Sequence, residues 1–166
     1  MPAKRPKLPQ IRTKTHKVGN RVTSRSKLIK EADRLMSLYV RQKNADKDGM
    51  VPCFTCGKIW HYKKLTAGHY ITRIYKYTRW DLNNVRPQCR FCNLYLYGNS
   101  HLFRENLVGE IGEGAVKEME QRAKKLFIEK DDFIQDRIEF FESLLGPNLA
   151  QPKRKKPSDM GSFRED

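Results

Sequence analysis

Four cysteines, arranged as two Cys-x-x-Cys pairs, constrain this chain more than any other feature of its sequence. The pairs are Cys53-x-x-Cys56 and Cys89-x-x-Cys92, and the 166 residues contain no further cysteine. Two such pairs supply the ligand set and local spacing of a tetrahedral Zn²⁺ site with four thiolates. The sequence therefore predicts a structural zinc site that ties two distant parts of the chain together.

The chain is strongly basic, with 34 Lys and Arg against 19 Asp and Glu and a formal net charge of +15. A field of that sign attracts polyanions, so nucleic acid is the leading partner, with a membrane surface or no partner as the alternatives. No apolar run approaches the roughly 20 residues of a membrane span, and the N-terminus does not resemble a signal peptide. We therefore expect a soluble, cytoplasmic protein without membrane contact, in which the cysteines are thiolate ligands rather than disulfides.

Composition divides the chain into three parts. Residues 1–24 are basic and proline-rich, with no acidic residue before Glu31, and this arm is expected to be disordered when free. It could serve as a solubilising tail or lie along phosphates. Residues 25–146 form the folded domain, and residues 147–166 form a second basic tail.

Helical periodicity is strongest at the two ends of the folded domain. One helix is predicted from about Ser26 to Asn44, with an apolar stripe that indicates core packing. A last helix, capped by Asp131 or Asp132, should end at Gly146. Shorter helices are expected after Cys92, over 101–111 and over 115–127.

The segment between the cysteine pairs is too long for a simple zinc ribbon. It has 32 residues, whereas a ribbon separates its pairs by roughly 15 to 20. A short strand is predicted over 65–71, and residues 81–88 lead back to the second pair. Basic residues alternate with aromatic ones here, and such a pattern suits contact with phosphates and exposed bases, although the aromatics could instead fold back onto the core. The candidate phosphate contacts are Arg73, Lys76, Arg79, Arg86 and Arg90.

These motifs resemble known nucleases. Gly68-His69, Asn84 and Cys89-x-x-Cys92-Asn93 resemble the HNH, or ββα-metal, motif in its His-Asn-Asn form, as in the phage recombination endonuclease VII family. The resemblance to the phage NinG family, also called Rap, is closer and extends from the helix at Leu28 to the helix at Met119. It rests on Ala67-Gly68-His69-Tyr70, Gln88-Cys89-x-x-Cys92-Asn93, Gly98-Asn99, Ile111-Gly112 and Ala115-Val116.

The resemblance implies a fold and an activity. The fold would be α+β, a small zinc-stapled ββα-metal core of the HNH type flanked by α-helices. The protein would be a metal-dependent DNA endonuclease of a phage in its bacterial host, acting on branched recombination intermediates of the Holliday junction type. A homodimer would suit symmetric cutting, with the apolar stripe over 133–145 as a candidate interface.

The resemblance also implies roles for single residues. His69 would be the general base, Asn84 would orient it, and Asn93 would bind one catalytic Mg²⁺ or Mn²⁺. Many members of the broader class carry an acidic metal ligand immediately before the base, where this chain has Gly68. The candidate replacements are Asp81, Asn99 and Glu105.

Other interpretations of the same residues stay open. His101 lies too far along an unbroken helix to share an ion with Asn93, but a break at Gly98 would leave it a candidate. His61 is expected to be a packing or surface residue. For the whole chain, the alternative from a different class is a non-catalytic zinc-stabilised module that binds DNA junctions, in which His69 is structural. An RNA-binding zinc knuckle is a third possibility.

Overall fold

A computed structural model describes residues 15–18 and 21–147 of the chain. Over these residues the chain forms four α-helices and six short strands, and the strands pair as three two-stranded antiparallel sheets. The helices are α1 (Arg25–Gln42), α2 (Ser100–Ile111), α3 (Glu113–Ala123) and α4 (Asp131–Leu145). The strands are β1 (Thr15–Val18), β2 (Arg21–Ser24), β3 (Met50–Pro52), β4 (Ile59–His61), β5 (Thr66–His69) and β6 (Val85–Gln88).

The first and last helices pack together and form the largest apolar core. The predicted stripe of α1 is confirmed, because five of its residues are buried: Leu28, Ala32, Leu35, Met36 and Val40. From α4 the buried apolar residues are Ile134, Ile138, Phe141 and Leu145. Trp80 and Val85 join this core from the central segment. Burial against α1 also removes most of the α4 stripe from the surface, and the homodimer expected through this stripe stays a prediction.

The first cysteine pair lies in the turn between β3 and β4. Gly57 adopts a left-handed conformation with φ of 71°, and its N–H donates to the Cys53 carbonyl at 2.9 Å. This closes a tight turn that a residue with a Cβ atom enters only with strain. The hairpin contributes Val51 and Cys53 to a second small core, which Leu65 and the second cysteine pair complete.

Helices α2 and α3 form a third apolar cluster, which contacts the first cysteine turn. Its buried residues are Phe103, Leu107, Val116 and Met119. The ring of Phe54, from the first cysteine turn, lies 4.9 Å from the ring of Phe103. The helix pair is therefore attached to the cysteine turn by aromatic packing rather than by a sheet.

Strands β5 and β6 bring the two motif segments together. They pair antiparallel, with Thr66 opposite Gln88 and His69 opposite Val85. After β6 the chain makes a single π-helical turn, Phe91–Tyr95, where a helix was expected. Three successive residues then have positive φ, namely Tyr97, Gly98 and Asn99, and they separate this turn from α2. The central order is thus strand, loop, strand and helical turn.

Several boundaries differ from the expectations. Residues 15–18 and 21–24 of the arm expected to be disordered pair as the β1–β2 hairpin, while residues 1–14, 19–20 and the tail beyond Pro147 lie outside the described part. Lys130, rather than an aspartate, precedes α4, and Asp131 and Asp132 lie in its first turn. Within the described ranges, no helix has the length and apolar character needed to cross a membrane.

Gly68 is required by the fully buried side chain of Gln88. A Cβ atom added to Gly68 would lie 1.8 Å from Oε1 and 2.5 Å from Cδ of Gln88. Gln88 is held in place, because its Nε2 donates to the Gly98 carbonyl at 2.8 Å and to the Thr55 hydroxyl at 3.3 Å. The space in which an acidic residue at position 68 would start is therefore filled by Gln88.

We predict that Gly68→Ala destabilises the protein by about 1–3 kcal/mol, because the added methyl group overpacks a fixed side chain. Denaturant unfolding would measure the change. Gly109→Ala is the matched control, since Gly109 lies in α2 with nothing near its Cβ position, and it should stabilise the protein by up to about 1 kcal/mol. When Gln88 is already replaced by alanine, Gly68→Ala should lower the free energy of unfolding by much less. An unchanged cost there would contradict the steric explanation.

Candidate functional site

The four cysteines meet in one cluster between the β3–β4 turn and the start of the π-helical turn. Their sulfur atoms all lie within 4.8 Å of one another. Tetrahedral coordination with Zn–S bonds of about 2.3 Å places sulfurs roughly 3.8 Å apart, so only a small contraction is needed. Three of the side chains are buried and Cys56 is exposed. The predicted gathering of these cysteines is confirmed, and the cluster could bind a metal such as zinc.

Hydrogen bonds prepare one of these thiols to ionise. Burial raises the pKa of Cys53, but donors from the backbone of Cys56 and Cys89 and from Thr55 outweigh it and lower the pKa to about 6. The Cys89 N–H lies 3.2 Å from the Cys53 sulfur. Burial raises the pKa of Cys92 to about 12. Since a coordinating metal deprotonates a thiol outright, Cys92 becomes a thiolate when a metal binds.

A second group of polar residues surrounds a cleft of about 300 Å³ between α1, β5 and the π-helical turn. Its lining includes Asp33, Thr66, His69, Arg73 and Asn93. His69 is at the end of β5 and Asn93 is on the turn that follows β6. The fold therefore brings together the predicted base and the predicted metal ligand, which are 24 positions apart in the sequence.

The His69 ring is oriented by the backbone of the loop that follows β5. Its Nε2 lies 3.1 Å from the Arg79 carbonyl oxygen. A carbonyl only accepts hydrogen bonds, so Nε2 carries the hydrogen and Nδ1 carries the lone pair in the neutral ring. This tautomer makes Nδ1 the basic atom of the side chain.

The environment of His69 favours its neutral form. Burial lowers the pKa of the imidazole below its ordinary value, and the positive charge of Arg73 lowers it further. The carbonyls of Arg79 and Ala67 and the carboxylate of Asp33 act in the opposite direction without reversing the shift. The lowered pKa favours the neutral ring, which can accept a proton.

Asn84 closes the loop whose backbone holds His69. This side chain is fully buried. Its Oδ1 accepts from the Ile71 N–H at 2.7 Å, and its Nδ2 donates to the carbonyls of Ile71 and Thr78, both at 2.9 Å. Three hydrogen bonds from this one side chain thus tie the end of the loop to its start and to its middle. Because Thr78 precedes Arg79, they also fix the carbonyl that orients His69.

The amide nitrogen of Asn93 is occupied by a hydrogen bond within the protein. Its Nδ2 donates to the Thr66 hydroxyl at 2.8 Å, and that hydroxyl donates to the Gln88 carbonyl at 3.0 Å. The orientation leaves Oδ1 as the atom that can ligate a cation. An amide oxygen is a suitable ligand for Mg²⁺, although a weaker one than a carboxylate.

Asp33 is a cleft residue that the sequence analysis missed. Its carboxylate accepts from Arg79 Nε and Nη2 at 3.0 and 2.6 Å and from the Trp80 indole at 2.9 Å. It therefore anchors the same Arg79 whose carbonyl binds His69. Asp33 is the neighbour of Ala32, a buried residue of the α1 stripe, and this position could have indicated that Asp33 is half-buried. No sequence pattern identifies its partners 46 and 47 residues away.

The three candidate replacements for a missing metal ligand lie outside this cleft. Asp81 binds Arg122 at 3.0 Å and caps its own turn through the Asn83 N–H. Asn99 precedes α2 in a left-handed conformation. Glu105 is exposed beside His101, at 3.6 Å. None of them lines the cleft beside His69 and Asn93, so these expectations differ from the structure.

The five candidate phosphate contacts divide into two groups. Arg73 and Arg90 are exposed and Lys76 is half-buried. Arg79 is committed to Asp33, and the buried Arg86 pairs with Glu110 at 2.8 and 3.1 Å. Arg86 also donates to the Leu82 carbonyl at 2.6 Å. The structure therefore gives Arg79 and Arg86 internal roles, in contrast to the expectation that they face DNA.

Comparison with known proteins identifies one family. The family profile described as "Bacteriophage Lambda NinG protein" matches residues 3–144. Proteins named "Protein ninG" from Escherichia phage 933W and Escherichia phage lambda are 34% and 33% identical over 97 residues, or 58% of this chain. That from Salmonella phage P22 is 33% identical over 102 residues, or 61%.

The alignments cover 46%, 45% and 48% of those relatives, respectively. The chain thus spans about half the length of the curated relatives it matches. No solved structure matches it.

We predict that the protein holds one Zn²⁺ per chain, measured by elemental analysis of the purified protein. Cys92→Ser should abolish stoichiometric zinc and lower the thermal midpoint, because it removes a buried ligand between two segments. His69→Ala is the matched control and should retain the metal. Equal zinc in the Cys92→Ser variant and the unsubstituted protein would contradict a four-thiolate site.

Proposed function

The chain belongs to the NinG family of bacteriophage proteins, and we propose that it is a metal-dependent DNA endonuclease that cuts branched recombination intermediates. The observation that carries the proposal is the cleft that His69 and Asn93 both line, beside the four-cysteine cluster. The strand, loop, strand and helical-turn order of this segment is the order that an HNH-type ββα-metal core requires. The motif resemblance implies the branched substrate.

His69 would act as the general base in phosphodiester hydrolysis. Its Nδ1 takes a proton from water as the water oxygen attacks phosphorus. The bond from phosphorus to the 3′-oxygen breaks, and the leaving oxygen takes a proton from solvent water. The products are a 5′-phosphate and a 3′-hydroxyl. The buried hydrogen bond from Nε2 to the Arg79 carbonyl keeps the ring aimed while the proton moves, and it stabilises the imidazolium that forms.

A catalytic Mg²⁺ or Mn²⁺ would be held by Asn93 together with substrate phosphate and water. Such an ion stabilises the negative charge that develops on the phosphate and the leaving oxygen. Asp33 lines the same cleft, but its charge is offset by Arg79, so we assign it to positioning. It holds the Arg79 backbone against His69, and Asn84 holds the rest of the loop.

The surface around the cleft suits a nucleic acid. Arg73 lies at the cleft itself, and Arg90 is exposed next to the π-helical turn. The same turn leaves the rings of Phe91 and Tyr95 exposed to 61% and 72%, and Tyr97 follows at 93%. Exposed rings beside cations bind unstacked bases. A branch point presents such bases, which favours a branched substrate over a continuous duplex.

We predict that the protein cuts a synthetic four-way junction in Mg²⁺ or Mn²⁺, and that His69→Ala slows cutting by about 100-fold or more, the usual contribution of a general base. Gel analysis of end-labelled strands would measure both the rate and the ends. His101→Ala is the matched control, because His101 is an exposed histidine outside the cleft, and it should cut at the unsubstituted rate.

Tight binding of the junction without cutting in either metal would contradict the proposal and favour the non-catalytic zinc module. Preference for RNA over DNA in competition would favour the RNA-binding knuckle. Linear duplex and single strand, run beside the junction, test whether cutting depends on the branch.

Cutting should also persist below pH 6.5. The neutral imidazole is the active form, and burial and Arg73 lower its pKa, so activity declines only as pH falls through that lowered value. The single-turnover rate between pH 5 and 8, with saturating metal and enzyme, would show the decline.

Arg73→Gln removes one cause of the shift, so the decline should then begin at a higher pH. Lys117→Gln, a change on α3 outside the cleft, should leave the profile unchanged. A midpoint above 6.5 in the unsubstituted protein would contradict this account of His69.

A further inference from the structure

A second cleft, of about 420 Å³, lies between the loop after β5, the end of α3 and α4. Its lining combines five aromatic rings with three basic side chains. The residues are Lys76, Tyr77, Trp80, Asp81, Leu82, Arg122, Phe127, Phe133, Arg137 and Phe140. Neither the zinc site nor the His69 cleft uses this second cleft, which we call the aromatic cleft.

The rings of the aromatic cleft form a continuous wall. Phe127 lies 5.2 Å from Tyr77 and 5.1 Å from Phe133 between ring centroids, and Trp80 lies 6.2 Å from Phe133. Tyr77 and Phe140 are 38% and 39% exposed. Ring surface is thus available to a ligand at this wall.

Guanidinium groups lie against the same rings. Arg137 lies 5.2 Å from the Phe133 centroid and 5.4 Å from that of Phe140, and Arg122 lies 5.9 Å from Tyr77. The Arg122 charge is offset by Asp81 at 3.0 Å. Among the described residues Arg137 has no ion pair, and its half-buried side chain lines the cleft. A guanidinium that no carboxylate neutralises favours a ligand that brings a hydrogen-bond acceptor.

Trp80 connects this cleft with the one that contains His69. Its ring lines the aromatic cleft, while its indole N–H donates to Asp33, which lines the His69 cleft. The two clefts therefore lie on either side of the short segment Arg79-Trp80. One extended strand of nucleic acid could follow that segment from one cleft to the other.

We infer that the aromatic cleft binds an unpaired base of the DNA strand whose phosphate enters the His69 cleft. This inference rests on the proposed function and narrows its substrate to branches that expose unpaired nucleotides. A base offers a flat π-face to the rings and ring acceptors to Arg137, and its phosphate offers charge to Lys76. A paired base within a duplex cannot present its face, and a purely apolar peptide would leave Arg137 unsatisfied.

The test uses the fluorescence of Trp80 in the full chain. The sequence has two tryptophans, so Trp60→Phe leaves Trp80 as the only one. Oligothymidine is titrated without Mg²⁺ and without a chelator, so binding is measured apart from cleavage and with the cysteine site intact. We expect saturable quenching of Trp80 by the oligonucleotide and little quenching by a blunt hairpin duplex.

Two variants in the Trp60→Phe background test the assignment. Arg137→Gln and Phe140→Leu should each weaken the binding of oligothymidine about tenfold, the order expected for loss of one stacking or cationic contact. Lys117→Gln removes a positive charge from α3 outside the cleft and should weaken it less than twofold. Far-UV circular dichroism of each variant checks that it is folded, and two variants are used so that one unfolded protein does not decide the outcome.

The outcomes separate this inference from the proposed function. Quenching that the two variants weaken supports base binding at the aromatic cleft even if no DNA is cut, whereas absence of cutting removes the endonuclease. Junction cutting with no effect of oligothymidine on Trp80 would overturn the inference and leave the endonuclease in place. A Trp80 signal that depends on protein concentration alone would also overturn it, because a second copy of the chain would then occupy the cleft.

Discussion

The gathering of four sulfur atoms within 4.8 Å is the constraint on which the rest of the structure depends. It joins the β3–β4 turn to the end of β6, two segments with little apolar material of their own. The backbone N–H of Cys89 reaches the sulfur of Cys53 at 3.2 Å, so the cluster also fixes the path of the chain into the π-helical turn. That turn carries Asn93, and its position against Thr66 follows from the cluster.

Around this fixed point, the loop between β5 and β6 is organised by buried hydrogen bonds as well as by the packing of Trp80 in the core. Asn84 satisfies backbone groups near the start and in the middle of the loop, and Asp33 holds Arg79 and Trp80 from α1. The result is a histidine with a fixed tautomer and a lowered pKa at the end of a two-stranded sheet. Such a small sheet has few contacts of its own, so these buried polar groups hold the His69 ring in one orientation, as its proposed role would require.

The positive charge is divided between internal and external uses. Arg79 and Arg86 form ion pairs that hold the loop and α2, whereas Arg90 and Lys76 remain at the surface of the central segment. Arg73 is exposed as well, but it lies 3.7 Å from the Asp33 carboxylate. Net charge alone therefore overstates the basic surface that a nucleic acid would meet. The proposed role of the aromatic cleft adds recognition of a different kind, because rings and an unpaired guanidinium suit exposed bases rather than phosphate charge.

The sequence by itself determined the four-cysteine cluster, the two long helices and the short strand at His69, because spacing and periodicity are local properties of the chain. Tertiary structure alone decided that Asp33 enters the His69 cleft, that Arg86 is buried against Glu110, and that Gln88 fills the space above Gly68. Each of these depends on which side chains meet across many residues, and no local pattern encodes that choice.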